Sequence, residues 1–378
     1  MENKSIFISK DERIPMALKN TIHKELEQLV TLKDSTRTWH TPMLTAICVG
    51  FPLLVGLYVD NLRYALISCL SGLVILYLPS SGSFTNIITT LLVSSFGFMV
   101  SFALGQFFSF SPTVSVIVFG LYSLIVHWII LYYKTAPPRS FFFIMILSIS
   151  ICQPFNLSTI PTKVGLVGLG TMFSCTLGLA YILWLSATQK ITPQNAPVPL
   201  LKKNTYADFW EAIITGVIMA ISLALGYWLK LENPYWIPIS CGAVMQGASL
   251  YHIWQRTFQR ILGTFLGLCL CWLLLQIANT PLMLCLFIIV LQLIVELLII
   301  RNYAMAVIFI TPLAIFLSEA ANPIINDPNE LIALRFWEIL IGSGLGAIGG
   351  WLLHKEKIRY ASIRGLKKLG NQIEQNIS

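Results

Sequence analysis

The clearest sign of a membrane-spanning helix lies in residues 281–300, which read Pro281-Leu-Met-Leu-Cys-Leu-Phe-Ile-Ile-Val-Leu-Gln-Leu-Ile-Val-Glu-Leu-Leu-Ile-Ile300. Only Gln292 and Glu296 interrupt this apolar run, and a helix of about 20 residues crosses the hydrocarbon core of a bilayer. The whole chain has the same character, since 56% of its 378 residues are hydrophobic and 11% are charged. Soluble domains carry about 25% charged residues. The sequence therefore predicts an all-α integral membrane protein.

This composition excludes a soluble enzyme, a nucleic-acid-binding module and a disulfide-stapled secreted domain. The formal net charge of +8 is spread over loops and chain ends, so it does not indicate a nucleic-acid partner. The chain has no GxxxxGK[ST] motif, no nucleophile beside a base, and no Cys/His spacing typical of zinc. We therefore assign no enzymatic activity, no cofactor and no metal.

The apolar runs predict about twelve transmembrane helices. Their expected bounds are 42–59, 62–78, 85–108, 112–133, 139–156, 163–186, 209–230, 234–250, 256–278, 281–300, 302–318 and 331–353. Segment 234–250 is short and contains Pro234, Pro238, Gly242 and Gly247, which indicates a broken or re-entrant helix beside a cavity.

The N-terminal arm, the linker between the two bundles and the C-terminal tail are polar and are expected in the cytoplasm. Residues 1–40 predict an amphipathic arm on the membrane surface, because apolar residues recur every three or four positions from Ile14 to Leu29. The alternative is a solvated helix packed on loops. Residues 190–208 form a linker between two bundles, 41–189 and 209–353, and residues 354–378 form a basic tail.

The distribution of Lys and Arg predicts the orientation. With both termini in the cytoplasm, 21 of the 25 basic residues lie inside and 4 lie outside. The four outer residues are Arg63, Lys163, Lys230 and Arg335. N- and C-termini on the cytoplasmic side of the membrane are therefore expected.

An internal repeat divides the chain into two halves. Residues 61–69 align with 233–241, and Lys163, Gly170 and Gly178 align with Arg335, Gly342 and Gly350 at the same offset. Residues 124–127 align with 293–296 at nearly that offset, which pairs His127 with Glu296. Six helices per half is an even number, so we expect two parallel six-helix repeats with the functional site between them.

Glu296 and His127 are ionisable residues inside the predicted spans. Such residues are costly inside a membrane and are usually functional or paired. Both are candidate proton-coupling residues. The alternatives are an ion pair with a neighbouring Arg for Glu296 and a hydrogen bond to a backbone carbonyl for His127.

Four basic residues are candidates for contact with an anion. Arg256 and Arg260 lie four residues apart on one face of a helix and suit a carboxylate, with lipid anchoring as the alternative, chiefly for Arg256. Arg335 and Lys163 begin the last helix of each half and are candidates for an anion exit. The alternative for Arg335 is a salt bridge with Glu338, Glu330 or Asp327.

The stretch from Asn233 to Gly267 resembles the fusaric acid resistance and aromatic acid exporter family, with more distant similarity to plant aluminium-activated malate transporters. A second family pattern is similar to Arg335-x-x-Glu338-x-x-x-Gly342, in which the family more often has Asp than Glu. In the first half Tyr64 replaces the Trp, and no Arg matches Arg260. The matching positions of the main pattern are Tyr235, Trp236, Ser240, Gln246, Arg256, Arg260, Gly263, Thr264 and Gly267.

The resemblance implies a proton-coupled inner-membrane exporter of aromatic or hydrophobic carboxylates or related drugs. It implies that Arg260, Arg256, Gln246, Ser240 and the aromatic pair Tyr235 and Trp236 contact the substrate, although the pair also suits an interfacial belt. It further implies a periplasmic adaptor as a partner, and a homodimer is a further expectation. Two alternatives stay open: a passive organic-anion channel, and a non-transporting scaffold of an envelope complex.

Overall fold

A computed structural model describes residues 31–34, 39–79, 83–135, 137–188, 205–247, 249–278, 280–319 and 328–355. The predicted amphipathic arm, most of the linker and most of the basic tail lie outside these residues. Glu330 and Asp327, two predicted partners of Arg335, also lie outside the described side chains.

Twelve α-helices follow one another in the described residues, which confirms an all-α membrane protein. A 3-10 turn, Gly72–Tyr77, extends the second helix, and another, Leu157–Thr159, precedes the sixth. The helices are α1 (His40–Tyr58), α2 (Leu62–Ser71), α3 (Phe84–Phe107), α4 (Pro112–Tyr132), α5 (Phe141–Ile151), α6 (Ile160–Ala187), α7 (Thr205–Trp228), α8 (Trp236–Met245), α9 (Leu250–Ile277), α10 (Pro281–Leu298), α11 (Tyr303–Glu319) and α12 (Pro328–His354).

Local sequence signals start these helices at matching places in the two halves. Ser83 and Ser249 cap α3 and α9, where each hydroxyl oxygen accepts a backbone N–H three residues ahead. Pro112 and Pro281 occupy the first position of α4 and α10, where the missing N–H is not needed. The third and fourth helices of each half therefore begin with the same chemistry.

Eight helices are long and apolar enough to cross a membrane, whereas α2, α5, α8 and α11 are shorter. These four are the second and fifth helices of the two halves. Helix α8 has ten residues and rises about 15 Å, half the thickness of a hydrocarbon core. Helix α5 is also shorter than the expected span 139–156, since it ends at Ile151, just before Gln153 and Pro154.

The two halves pack against each other through equivalent helices. Helix α4 of the first half lies along α7 of the second, and α10 of the second lies along α1 of the first. Gly120 and Gly216 permit the close approach of α4 and α7, since a Cβ on Gly216 would lie 2.8 Å from the Gly120 carbonyl oxygen. The first helix of each half thus contacts the fourth helix of the other, as a duplicated bundle would give.

Glycines at repeat-related positions hold the second and sixth helices of each half together. In the first half, a Cβ on Gly170 of α6 would collide with the Ser68 carbonyl oxygen of α2. In the second half, a Cβ on Gly342 of α12 would collide with the Ile237 carbonyl oxygen and lie 2.7 Å from the Ser240 Cβ of α8. Small residues here let the helix backbones touch.

We predict that Gly342→Ala destabilises the protein by about 1–3 kcal/mol, because the added methyl forces α12 away from α8. The matched control is Gly344→Ala on the same helix, where a Cβ meets nothing within 4 Å. Thermal unfolding in detergent micelles should give a lower midpoint for Gly342→Ala and an unchanged or higher midpoint for Gly344→Ala. Equal midpoints for the two variants would contradict this packing.

Candidate functional site

A large cavity of about 2470 Å³ lies between the two halves. The four short helices all contribute to its wall, through residues such as Tyr64 of α2, Phe142 of α5, Trp236 of α8 and Tyr303 of α11. All the longer helices except α7 also contribute residues to the wall. The breaks in the bundle therefore open onto a shared space, where interrupted helices are tolerated in a membrane.

Basic residues outnumber acidic ones in this wall. Its acidic residues, within the part of the chain that the structure describes, are Glu232 and Glu296. The basic residues are Arg63, Lys134, Lys163, Arg256, Arg260 and Arg335. A cavity lined by one sign of charge concentrates counter-ions, so this one favours anions.

Arg260 lies at the centre of the candidate site. It is buried, with 6% of its surface exposed, and it lines the cavity. One Nη donates to the Ser240 hydroxyl at 3.2 Å and the other to the Tyr303 hydroxyl at 3.3 Å. Its Nε–H has no hydrogen-bond partner, and the described residues place no carboxylate within salt-bridge distance of it. The guanidinium is therefore held by neutral groups with its charge uncompensated.

Tyr303 links Arg260 to Arg256. Its hydroxyl accepts from Arg260, and the Arg256 guanidinium lies over its ring at 4.9 Å from the centroid. Arg256 also donates to the Ala243 carbonyl at 3.1 Å and is half-buried in the cavity wall. The two arginines predicted to bind an anion are thus positioned by one aromatic residue that the sequence reasoning missed.

Glu296 lies in the same wall, on α10. It is buried, with 6% exposure, and Gln292 one turn earlier donates to its carboxylate at 3.4 Å. Both side chains line the cavity. Arg260 and Glu296, which the sequence placed far apart in the chain, therefore share one space.

A second cluster surrounds Arg335 near the start of α12. Its guanidinium contacts Glu338 at 3.0 Å, donates to Ser318 at 3.2 Å and lies 4.7 Å from the centre of the Trp236 ring. Both partners of this salt bridge are buried. The predicted i,i+3 ion pair with Glu338 is present, and Arg335 also lines the cavity.

Lys163, the repeat partner of Arg335, is held differently. Its Nζ donates to Gln106 Oε1 at 2.8 Å and to Gln153 Oε1 at 3.2 Å. Lys163 and Gln153 line the cavity beside Arg63. Both partners of this ammonium are neutral amides, so neither of them balances its charge.

The aromatic pair and Gln246 also lie in the wall. Tyr235 and Trp236 line the cavity with ring centroids 5.2 Å apart, and Gln246 lines it at the exposed end of α8. Ser240, predicted to contact substrate, is fully buried outside the cavity lining and accepts from Arg260. Its observed contact is with the arginine.

His127 does not line this cavity. Its Nδ1 lies 2.7 Å from the Ser140 hydroxyl, and its Nε2 lies 3.6 Å from a carboxylate oxygen of Glu211. Because His127 is on α4 and Glu211 is on α7, this contact joins the two halves along their seam. The repeat alignment pairs His127 with Glu296, but the structure does not bring them to one site.

The second half of the chain is similar in sequence to known proteins. Residues 219–349 match the fusaric acid resistance protein-like family. This match confirms the resemblance inferred from the Tyr235–Gly267 pattern, and it covers Arg256, Arg260 and Glu296. An uncharacterized membrane protein of Bacillus subtilis (strain 168), YvaC, is 34% identical over 147 residues.

That alignment covers 38% of this chain and 22% of the Bacillus protein, so the chain spans about a fifth of its relative's length. No solved structure matches the chain. The matched family and the helices together describe a multi-pass membrane protein whose second half is fusaric acid resistance-like.

Proposed function

We propose that this protein carries organic anions, chiefly aromatic or hydrophobic carboxylates, across a bacterial inner membrane through the cavity between its halves. The observation that carries the proposal is Arg260, a buried cation in the cavity wall with neutral partners and an unused N–H. A guanidinium binds a carboxylate through paired N–H groups. The family's description, resistance to fusaric acid, an aromatic carboxylate, supports this substrate class.

The burial of Arg260 supports a binding role over lipid anchoring. An Arg that anchors a helix extends its charge to the lipid headgroups. Arg260 instead lies 6% exposed between α8 and α11. A charge at mid-span costs roughly 2.5–3.5 kcal/mol on insertion, and an anionic ligand would offset that cost.

The aromatic pair supports a substrate with an apolar ring. Tyr235 and Trp236 lie in the same wall as Arg260, and the Trp236 ring has Arg335 over one face. In our proposal the ring of the substrate packs against this apolar surface while its carboxylate contacts Arg260.

We predict that Arg260→Gln weakens fusaric acid binding about 10- to 100-fold, because charge-assisted hydrogen bonds to the carboxylate are lost. Arg260→Lys should give an intermediate loss, since the charge stays but the planar fork does not. The control is Arg301→Gln, the same change in an exposed turn outside the cavity. Isothermal titration of the full chain in detergent measures the three affinities.

Unchanged affinity in Arg260→Gln, or an equal loss in Arg301→Gln, would contradict a binding role for Arg260 and indicate a structural one. Absence of any binding by the wild-type chain would remove the carboxylate from the proposal.

We further propose that Glu296 couples proton movement to anion movement. A carboxyl group can take up and release a proton, and intramembrane Glu residues form proton relays in transporters. Glu296 is buried in the same cavity wall as Arg260, which supports a link between the protonation of Glu296 and the binding of an anion at Arg260. Proton entry at Glu296 would then accompany release of the anion.

We predict that Glu296→Gln abolishes stimulation of fusaric acid transport by a pH gradient while leaving exchange of labelled for unlabelled substrate within about twofold. The glutamine keeps the shape of the side chain and an acceptor oxygen for Gln292, but it cannot ionise. The control is Glu232→Gln, the same change at an exposed position of the cavity. Both activities are measured in proteoliposomes.

Full proton-driven transport in Glu296→Gln would contradict the coupling role. Wild-type chain that conducts anions without exchanging them would favour the passive channel. If cells that carry both Arg260→Gln and Glu296→Gln behaved like the wild type, and only deletion of the chain caused a defect, the scaffold would be favoured.

The location is part of the same proposal. The excess of Lys and Arg supports cytoplasmic termini, so Arg256 and Lys134 would lie at the inner end of the cavity and Arg63 and Lys163 at the outer end. A periplasmic adaptor and a second copy of the chain stay predictions from the resemblance.

A further inference from the structure

Among the buried polar atoms of cavity-lining residues that have no hydrogen-bond partner in the described part of the chain, three belong to α8 and α9. They are the Nε of Arg260, the hydroxyl of Thr264 and the indole Nε1 of Trp236. Arg260 and Thr264 are 6% and 1% exposed. Buried polar atoms are rarely left unpaired, so three such atoms on two neighbouring helices that line the cavity are candidates for contact with a ligand.

Thr264 differs from other buried threonines of this protein. Thr257 on the same helix donates to the Ile253 carbonyl at 2.8 Å, and Thr311 on α11 donates to the Val307 carbonyl at 2.9 Å. This bond to the preceding turn is the usual solution for a threonine inside a helix. The Thr264 hydroxyl makes no such bond, and Thr264 lines the cavity.

The register of α8 and α9 places these atoms on two levels. Arg256 bonds Ala243, and Arg260 bonds Ser240, so the two helices run antiparallel. One further turn along α9 reaches Thr264, and one further turn back along α8 reaches Trp236. The backbone positions of Thr264 and Trp236 therefore lie about one helical turn, roughly 5 Å along the helices, from those of Arg260 and Ser240.

We infer that Arg260, Thr264 and Trp236 form a two-point site for a carboxylate that carries a hydrogen-bond acceptor about one helical turn from its carboxyl group. The inference rests on the proposed binding of anions at Arg260. The carboxylate bonds the Nε–H of Arg260, and the acceptor takes the O–H of Thr264 or the N–H of Trp236. An indole N–H only donates, so the second group of the ligand must accept.

Benzoate and isonicotinate test this site because they have the same shape. Isonicotinate has a ring nitrogen, an acceptor at neutral pH, directly opposite its carboxylate, where benzoate has a C–H. A comparison of the two probes on two proteins isolates the contact between the acceptor and the hydroxyl.

The experiment is isothermal titration of both probes into the full-length wild type, Thr264→Val, Thr264→Ser and the control Thr257→Val. We expect Thr264→Val to weaken isonicotinate about three- to tenfold, the loss of one neutral hydrogen bond, and to leave benzoate within twofold. Thr264→Ser keeps the hydroxyl and should bind both probes like the wild type. Thr257→Val should change the two affinities equally or not at all.

Three outcomes would overturn the inference. Equal effects of Thr264→Val on the two probes would do so while leaving the proposed function intact, provided that Arg260→Gln still weakens benzoate. A selective loss in Thr257→Val as large as that in Thr264→Val would assign the effect to helix packing. Failure of the wild type to bind either probe or fusaric acid would overturn the proposed function together with this inference.

Discussion

A positive charge inside a membrane bundle requires a counter-charge or polar partners, and the two most buried arginines among the described residues differ in their partners. Arg335 has a buried carboxylate, Glu338, at 3.0 Å. Arg260 has two hydroxyl groups and, in the described residues, no carboxylate within salt-bridge distance. A buried ion pair can be purely structural, whereas a buried cation without a carboxylate partner is a candidate site for an anionic ligand. The function that we propose depends on this difference.

The second and fifth helices of each half are shorter than the others and line the cavity in which Arg260 lies. Helices α2, α5, α8 and α11 all contribute residues to the cavity wall. The pairs α4 with α7 and α1 with α10 join the halves. Glycines of α6 and α12 let these helices pack closely against α2 and α8. The cavity is thus a consequence of where the apolar runs are interrupted by Pro, Gly and polar residues.

Sequence reasoning reached the fold and much of the site for identifiable physical reasons. Long apolar runs predict helices well. The high cost of intramembrane charge drew attention to Glu296, and the spacing of Arg256 and Arg260 on one helix face drew attention to Arg260; Glu296 and Arg260 both line the cavity. The reasoning overestimated the span at 139–156, because apolar composition does not fix where a helix stops.

The parts it did not reach depend on contacts between distant residues. Tyr303 carries no local signal, since its role comes from Arg256 and Arg260 on another helix. Ser240 matches the family pattern, but only the structure places it behind Arg260. His127 was paired with Glu296 by the repeat, yet duplication conserves position and not chemistry, and His127 joins α4 to α7.

The central claim is that a small carboxylate occupies the space between the halves and serves as the counter-ion of Arg260. An experimental structure with bound 4-bromobenzoate tests it most directly, because the bromine locates the ligand independently of the protein. The account predicts the carboxylate on the free edge of Arg260 and the bromine beside Thr264 and Trp236. Arg260 paired with a carboxylate of the protein, in a seam closed by side chains and with the bromine elsewhere, would contradict it.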